Sequence, residues 1–290
     1  MGKLEEATSK SEGGAAVRTE GEFRALLVLL GDEDERVAAV ARERLLNEQD
    51  AAVPYLLEAS GAPDPRQRGR VRLLLEELRL GALEERWRLY AALPDDDLDL
   101  EQGSLLVSGL VREVDPTRVS GFLDAISGMV RAHMASVGPL QALSEVIFEN
   151  MRFRGGDYAE PDNYYLVSAL DRRTGIPIVL STLFVLVGRR VGLEVAGVAA
   201  PSHYLARVER AEGPLYIDCY NRGRTYRQET LVTWLEGRGV SRPEQYLNPC
   251  THRFTLYRML NNCERVHGDT GDGRLAEAAR RWRELLQTER

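Results

Sequence analysis

Residues able to carry chemistry are sparse in this 290-residue chain, and their types limit what chemistry is open. The three cysteines, Cys219, Cys250 and Cys263, form no Cys-x-x-Cys pair, so a thiolate zinc site is not expected. A thiol can instead be a nucleophile, provided that a base and a helix N-terminus draw off its proton. The base would be a histidine. His133, His252 and His267 show no partner at a useful spacing and read as ordinary surface or core residues. Asp95-Asp96-Asp97 followed by Asp99 has the composition of a cation site. It lacks the turn glycine and closing glutamate of an EF-hand loop, so it reads as a solvated linker.

Bulk properties narrow the classes further. A net charge of −7 with no basic stripe argues against nucleic acid as a partner. The first residues, MGKLEEATSKSEGG, contain no apolar stretch of the kind a signal peptide needs, and Glu6 stands where a myristoylation motif wants Ser or Thr. The longest apolar run, Ile176 to Val187, is broken by Pro177, Ser181 and Thr182 and is too short to span a bilayer. These features predict a cytoplasmic protein with no membrane partner, no metal and no cofactor.

The elements that must position any site follow from periodicity. Residues 1–20 are polar and aperiodic and are expected to be a disordered tail. Residues 21–95 read as helices: Glu22–Leu30, Glu35–Asn47, Ala51–Ala59, Arg66–Leu78 and Leu83–Ala92. The stretch LLVLLGDEDERVAAVARERLL resembles a HEAT-type hairpin, with a weaker copy near Val53–Leu75. Two such repeats are too few to stand alone, and a generic helical bundle explains the pattern about as well. Residues 96–250 form the next expected domain. Helices are expected at Leu98–Leu110, Pro116–Val137 and Leu140–Phe148, then a loop from Phe153 to Tyr165. An apolar helix from Pro177 to about Val191 has no polar face and belongs at a domain centre. Strand-like segments follow at Val195–Ala199, His203–Glu209 and Leu215–Cys219, and helical patterning returns at Gln228–Glu236. Residues 251–290 read as a C-terminal helical hairpin. Helices followed by antiparallel strands give an α+β class.

The segment DNYYLVSALDRRTGIPIVLSTLFVLVGRRVGLEVAGVAAPSHYLARV, followed by LYIDCY, resembles the SirB-type branch of the transglutaminase-like superfamily. The residues that carry the resemblance are Asn163, Arg173-x-Gly175-Ile176-Pro177-Ile178, Ser181, Leu183, Arg189, Gly192, Pro201-x-His203-Tyr204-Leu205 and Ile217-Asp218. It extends over most of residues 98–285. The resemblance implies a papain-like fold in which a cysteine at the start of the buried helix faces a His and an Asp on adjacent strands. A helix N-terminus stabilises a thiolate, the His takes its proton, and the Asp orients the ring. It also implies that His203 and Asp218 are the retained pair, with Asn163, Arg173, Ser181, Tyr204 and Cys219 lining the cleft. Arg189 and Gly192 lie twelve and fifteen residues after Pro177, and His203 and Asp218 are fifteen apart. These registers put Pro177 where the family's cysteine stands. Proline offers neither a nucleophile nor an N–H, but starts a helix well.

Two residues could take over as nucleophile. Ser181 is one turn beyond Pro177, roughly 6 Å along the axis, and a buried helical serine more often bonds its own i−4 carbonyl. Cys219 follows Asp218 and, on a strand, would face away from His203. The reading favoured by the sequence is a non-catalytic transglutaminase-like protein that binds an unidentified protein or peptide in a degenerate cleft. The alternative is an amidase or hydrolase that uses His203 and Asp218 with water or a displaced nucleophile. A third reading makes the His–Asp contact a purely structural pin between strands.

Overall fold

The computed structural model describes residues 19–287, and the chain divides between Ala82 and Leu83 into two compact units. Residues 1–18 of the expected tail lie outside the described residues. Thr19 and Glu20 do not belong to a tail. Thr19 caps helix α1 (Glu20–Leu30), and its partner Glu22 returns a bond to the Thr19 N–H at 2.7 Å. This capping box satisfies two backbone donors that a helix start otherwise leaves open.

The first unit is helical. Asp34 caps α2 (Glu35–Asn47), α3 spans Val53–Ala59, and α4 runs from Pro65 to Ala91. The two helices expected at 66–78 and 83–92 are therefore one. Gly81 lies inside α4, where a glycine costs about 1 kcal/mol but does not break a long helix. Phe23, Leu26, Leu30, Leu45, Leu56 and Leu74 interlock as the core of this unit. The α1 C-terminus carries no basic residue of its own. Gln67 and Arg70 of α4 supply the missing donors, reaching the Leu27 and Leu30 carbonyls at 2.7 and 2.8 Å.

The second unit is α+β. It begins with the last turns of α4, from Leu83, and continues with α5 (Leu100–Ser108), α6 (Pro116–Met134) and α7 (Pro139–Ser144), which loosens into a π turn over Glu145–Asn150. Two short strands, β1 (Arg154–Gly155) and β2 (Thr174–Gly175), pair in parallel on either side of α8 (Leu166–Arg172). None of these three elements is visible in the sequence pattern, because each is too short to establish a period. Helix α9 (Pro177–Arg190) is buried from Pro177 through Gly188. Its lack of a polar face is thus explained by burial on all sides. Four strands form an antiparallel meander in chain order: β3 (Val195–Val198), β4 (Leu205–Val208), β5 (Leu215–Asp218) and β6 (Arg224–Arg227). Strand β6 was not expected, since Arg-Thr-Tyr-Arg offers no apolar alternation and is largely exposed. Helices α10 (Gln228–Glu236), α11 (His252–Thr270) and α12 (Gly273–Leu285) complete the chain. No helix among the described residues is long and apolar enough to cross a membrane.

The histidines expected to lack partners have them. His252 is wedged between Leu98 and Arg189: its Nδ1–H donates to the Leu98 carbonyl and its Nε2 accepts from the guanidinium, each at 2.5 Å. His267 Nε2 lies 2.6 Å from the Tyr165 hydroxyl, and His133 contacts Glu145. These pairings join residues 12 to 154 positions apart, which no local spacing reveals. Asp95–Asp97 form a single 3-10 turn, Asp95 pairs with Arg253, and Asp99 caps α5.

Candidate active site

Helix α9 begins at Pro177, with Ile176 as the capping residue. No side chain caps it. Instead the Ile176 N–H donates to the Asn163 carbonyl at 2.9 Å, which ties the helix start to the loop before α8. Asn163 is buried and spends its amide on the same junction. Its Nδ2 donates to the Asp157 carbonyl at 2.8 Å, and its Oδ1 accepts from the Thr174 hydroxyl at 2.9 Å. Through these bonds the residue holds the frame of the helix start. Arg173 is likewise committed. It ends α8 in the left-handed region, bonds the Leu170 carbonyl at 2.6 Å, and lies over the rings of Phe122 and Phe153.

His203 sits just ahead of β4, after Ser202 in the left-handed region at φ 60°. A serine held there costs roughly 1–3 kcal/mol, so the surrounding fold must impose the turn that presents the ring. The imidazole Nε2 stands 2.9 Å from Asp218 Oδ1. The separation is that of a hydrogen bond, although the N–H is not well aligned with the carboxylate. Asp218 is the last residue of β5 and is buried. Burial raises its pKa, but His203 and then Asn221 more than offset this and hold it below the ordinary carboxylate range. Asn221 provides both a backbone N–H at 3.1 Å and a side-chain Nδ2 at 2.7 Å. No residue among those described hydrogen-bonds Nδ1 of His203, and the ring is one-fifth exposed (21%).

One turn into α9, Ser181 reaches the main chain beside this pair. Its hydroxyl donates to the Tyr204 carbonyl at 3.3 Å, next in the chain to His203, and not to its own i−4 carbonyl as expected. Ser181 is wholly buried. Cys219 lies in the turn after β5, also wholly buried, with its thiol directed at the Ile217 carbonyl. Burial pushes that thiol well above the ordinary range, and the Ser181 hydroxyl offsets only part of this. Tyr204 points away from the site: its buried hydroxyl pairs with Thr255 Oγ1 of α11 at 2.7 Å.

Three contributors were not singled out from the sequence. Tyr220 packs edge-on against His203, with centroids 6.3 Å apart, and its hydroxyl donates to the Gly156 carbonyl at 3.1 Å. Tyr158 lies against Tyr220 at 5.6 Å and is 45% exposed, so it forms an open aromatic wall. Asn221 is the clamp on Asp218. The Asp-x-x-Asn spacing before Gly223 was the available signal, since Asx side chains bond backbone N–H groups in tight turns.

This layout agrees with the sequence relationships. The model of the transglutaminase-like superfamily matches residues 117–261, which contain α9, His203 and Asp218. The chain belongs to the transglutaminase-like superfamily. A UPF0162 protein of Xylella fastidiosa is 30% identical over 63% of this chain and 70% of its own length. Protein SirB1 of Salmonella typhimurium is 24% identical over 52% of this chain and 58% of its own. F-box only protein 21 of Mus musculus is 37% identical over 29% of this chain, but only 15% of that protein is covered. No solved structure matches the chain. Within this transglutaminase-like frame, the first position of the central helix holds a proline and the hydroxyl and thiol nearby are buried.

Proposed function

We propose that the protein is a non-catalytic transglutaminase-like module that binds a protein or peptide in the cleft around His203. One observation carries this reading: the imidazole is partly open, yet neither of its nitrogens has a hydrogen bond from any Ser, Thr or Cys among the described residues. Pro177 supplies no nucleophile at the head of α9, Ser181 spends its proton on a carbonyl, and Cys219 is buried with a raised pKa. An oriented base without a nucleophile supports recognition better than acyl transfer. Tyr158 and Tyr220 offer flat apolar area, which suits an extended chain. The HEAT-like reading of residues 21–95 belongs to the same proposal, with α1 and α2 as a hairpin that docks partners. The three unpaired cysteines support a reducing, cytoplasmic location.

The intact His203–Asp218 contact favours the competing hydrolase reading, in which water replaces the nucleophile. The two part in a single experiment on the full chain. NMR of the His203 imidazole is followed as pooled random decapeptides are added, and hydrolysis of a fluorogenic peptide amide is assayed in parallel. Shifts around His203 without turnover are expected. Turnover abolished by His203→Ala overturns the non-catalytic reading, and an unmoved imidazole at millimolar peptide overturns binding in this cleft.

A further inference from the structure

Strand β6 is the outer edge of the meander. Its backbone is laddered on one side, to β5, and the Arg224 N–H also donates to the Asn221 carbonyl. An edge of this kind can template a further strand. Basic side chains mark it: Arg224 opens the strand, Arg227 closes it, and Arg222 lies in the preceding turn on the other side of Gly223. A second basic turn lies alongside. The Gly155 N–H donates to the Tyr220 carbonyl at 3.1 Å, which joins Arg152 and Arg154 to the turn that carries Arg222. A Cβ on Gly155 would stand 2.7 Å from the Tyr220 ring, so this close approach requires glycine.

All five arginines are exposed, and none has a carboxylate partner among the described residues. The acids of the 157–162 loop, by contrast, are already engaged. Glu160 and Asp162 pair with Arg172, and Asp157 accepts the Ala159 N–H. Arg152 and Arg222 also occupy the left-handed region, at φ 59° and 55°. The rim next to His203 is therefore locally positive in a chain whose net charge is −7.

We propose that this rim docks an acidic, extended segment of a partner protein along the free edge of β6. Main-chain bonds to β6 would supply affinity, while Glu or Asp side chains on Arg152, Arg154, Arg222 and Arg224 select the sequence. The proposal rests on the peptide-binding reading and names the chemistry of its partner. Charged edge residues also deter unwanted strand pairing. That simpler role predicts no preference for acidic over neutral peptides.

The test uses the full chain with three labelled decapeptides, of glutamate, of alternating glycine and serine, and of lysine. NMR shifts at β6 and at the His203 ring are followed together. The glutamate peptide is expected to move both sets and to bind roughly tenfold or more tighter than the neutral one, with most of that advantage lost at 1 M salt. The paired substitution Arg222→Glu, Arg224→Glu should abolish the preference, whereas Arg210→Glu with Arg238→Glu, on exposed positions outside the rim, should not. If the neutral peptide moves His203 as strongly as the acidic one, the acidic-partner proposal falls and the peptide-binding reading stands. If no peptide moves His203, both fall. Equal effects of the two charge reversals would also overturn the rim as the docking surface.

Discussion

A proline at the first position of a helix does two things at once: it fixes φ for the helix and removes a reactive side chain. Pro177 is that residue in α9, one turn before Ser181, which touches the main chain next to His203. The frame that would activate a thiol can be tested directly. In Pro177→Cys, the new thiol stands at a helix N-terminus, and Nδ1 of His203 has no protein partner among the described residues to compete for it. Its pKa is expected to fall below the ordinary ~8.5, read from the pH dependence of site-resolved alkylation. An unshifted thiol would mean that His203 does not address the head of α9. Cys219 gives the complementary expectation. Its burial should leave it unlabelled in the native protein and fully labelled after unfolding. Native labelling that is lost in His203→Ala would restore the displaced-nucleophile enzyme.

Elements in this protein are locked to one another by single close contacts. Strand β3 accepts the Tyr204 ring over Gly197, where an added Cβ would lie 2.2 Å from the hydroxyl. Gly197→Ala should therefore cost about 1–3 kcal/mol by overpacking. Adding Tyr204→Phe should return part of that cost, because the nearest clashing atom is gone. Thr255 keeps its bond to the Thr251 carbonyl, so little else is lost. A urea-denaturation double-mutant cycle checks the coupling, and additive effects would contradict it. Helices α8 and α11 are joined through the stretch around Tyr165 and His267. Burial lowers the His267 pKa below its ordinary value of 6.5, with Asp272 opposing the shift only in part. The folded state thus binds this proton less readily than the unfolded chain. The stabilisation is fully present above about pH 6.5 and is lost as pH falls towards the depressed folded value. His267→Gln should flatten that portion of the stability–pH curve. An unchanged curve would place the dependence elsewhere.

At the scale of the molecule, the second unit is closed by its own ends. Trp87 in the last turns of α4 stacks on Trp282 of α12, with centroids 4.9 Å apart and planes 8° from parallel. The Trp87 indole N–H donates to the Trp282 carbonyl at 3.0 Å. Trp282 is 1% exposed. Trp282→Ala should cost about 3–5 kcal/mol in chemical denaturation, a loss typical of a large buried aromatic. A smaller effect would mean that α12 collapses onto the space or contributes little to the unit.

How much of this was legible depended on the range of the interaction. The apolar helix that became α9, the strands β3 to β5 and the spacing of His203 and Asp218 were readable because each leaves a local pattern: unbroken apolarity, alternation, or a motif of fixed register. Short elements such as α8, β1 and β2 left none, and β6 was hidden by its arginines. Asn163, Arg173 and Tyr204 were expected at the cleft, but their side chains bind carbonyls, rings and a distant hydroxyl instead. Residue identity alone could not distinguish a lining residue from a strut. By itself the sequence determined the family, the proline at the head of α9 and the absence of a signal for metal or cofactor. Only the tertiary structure decided which polar groups were already spent. A hydrogen bond to a residue a hundred positions away leaves no mark on spacing, yet it governs whether a side chain is free to act.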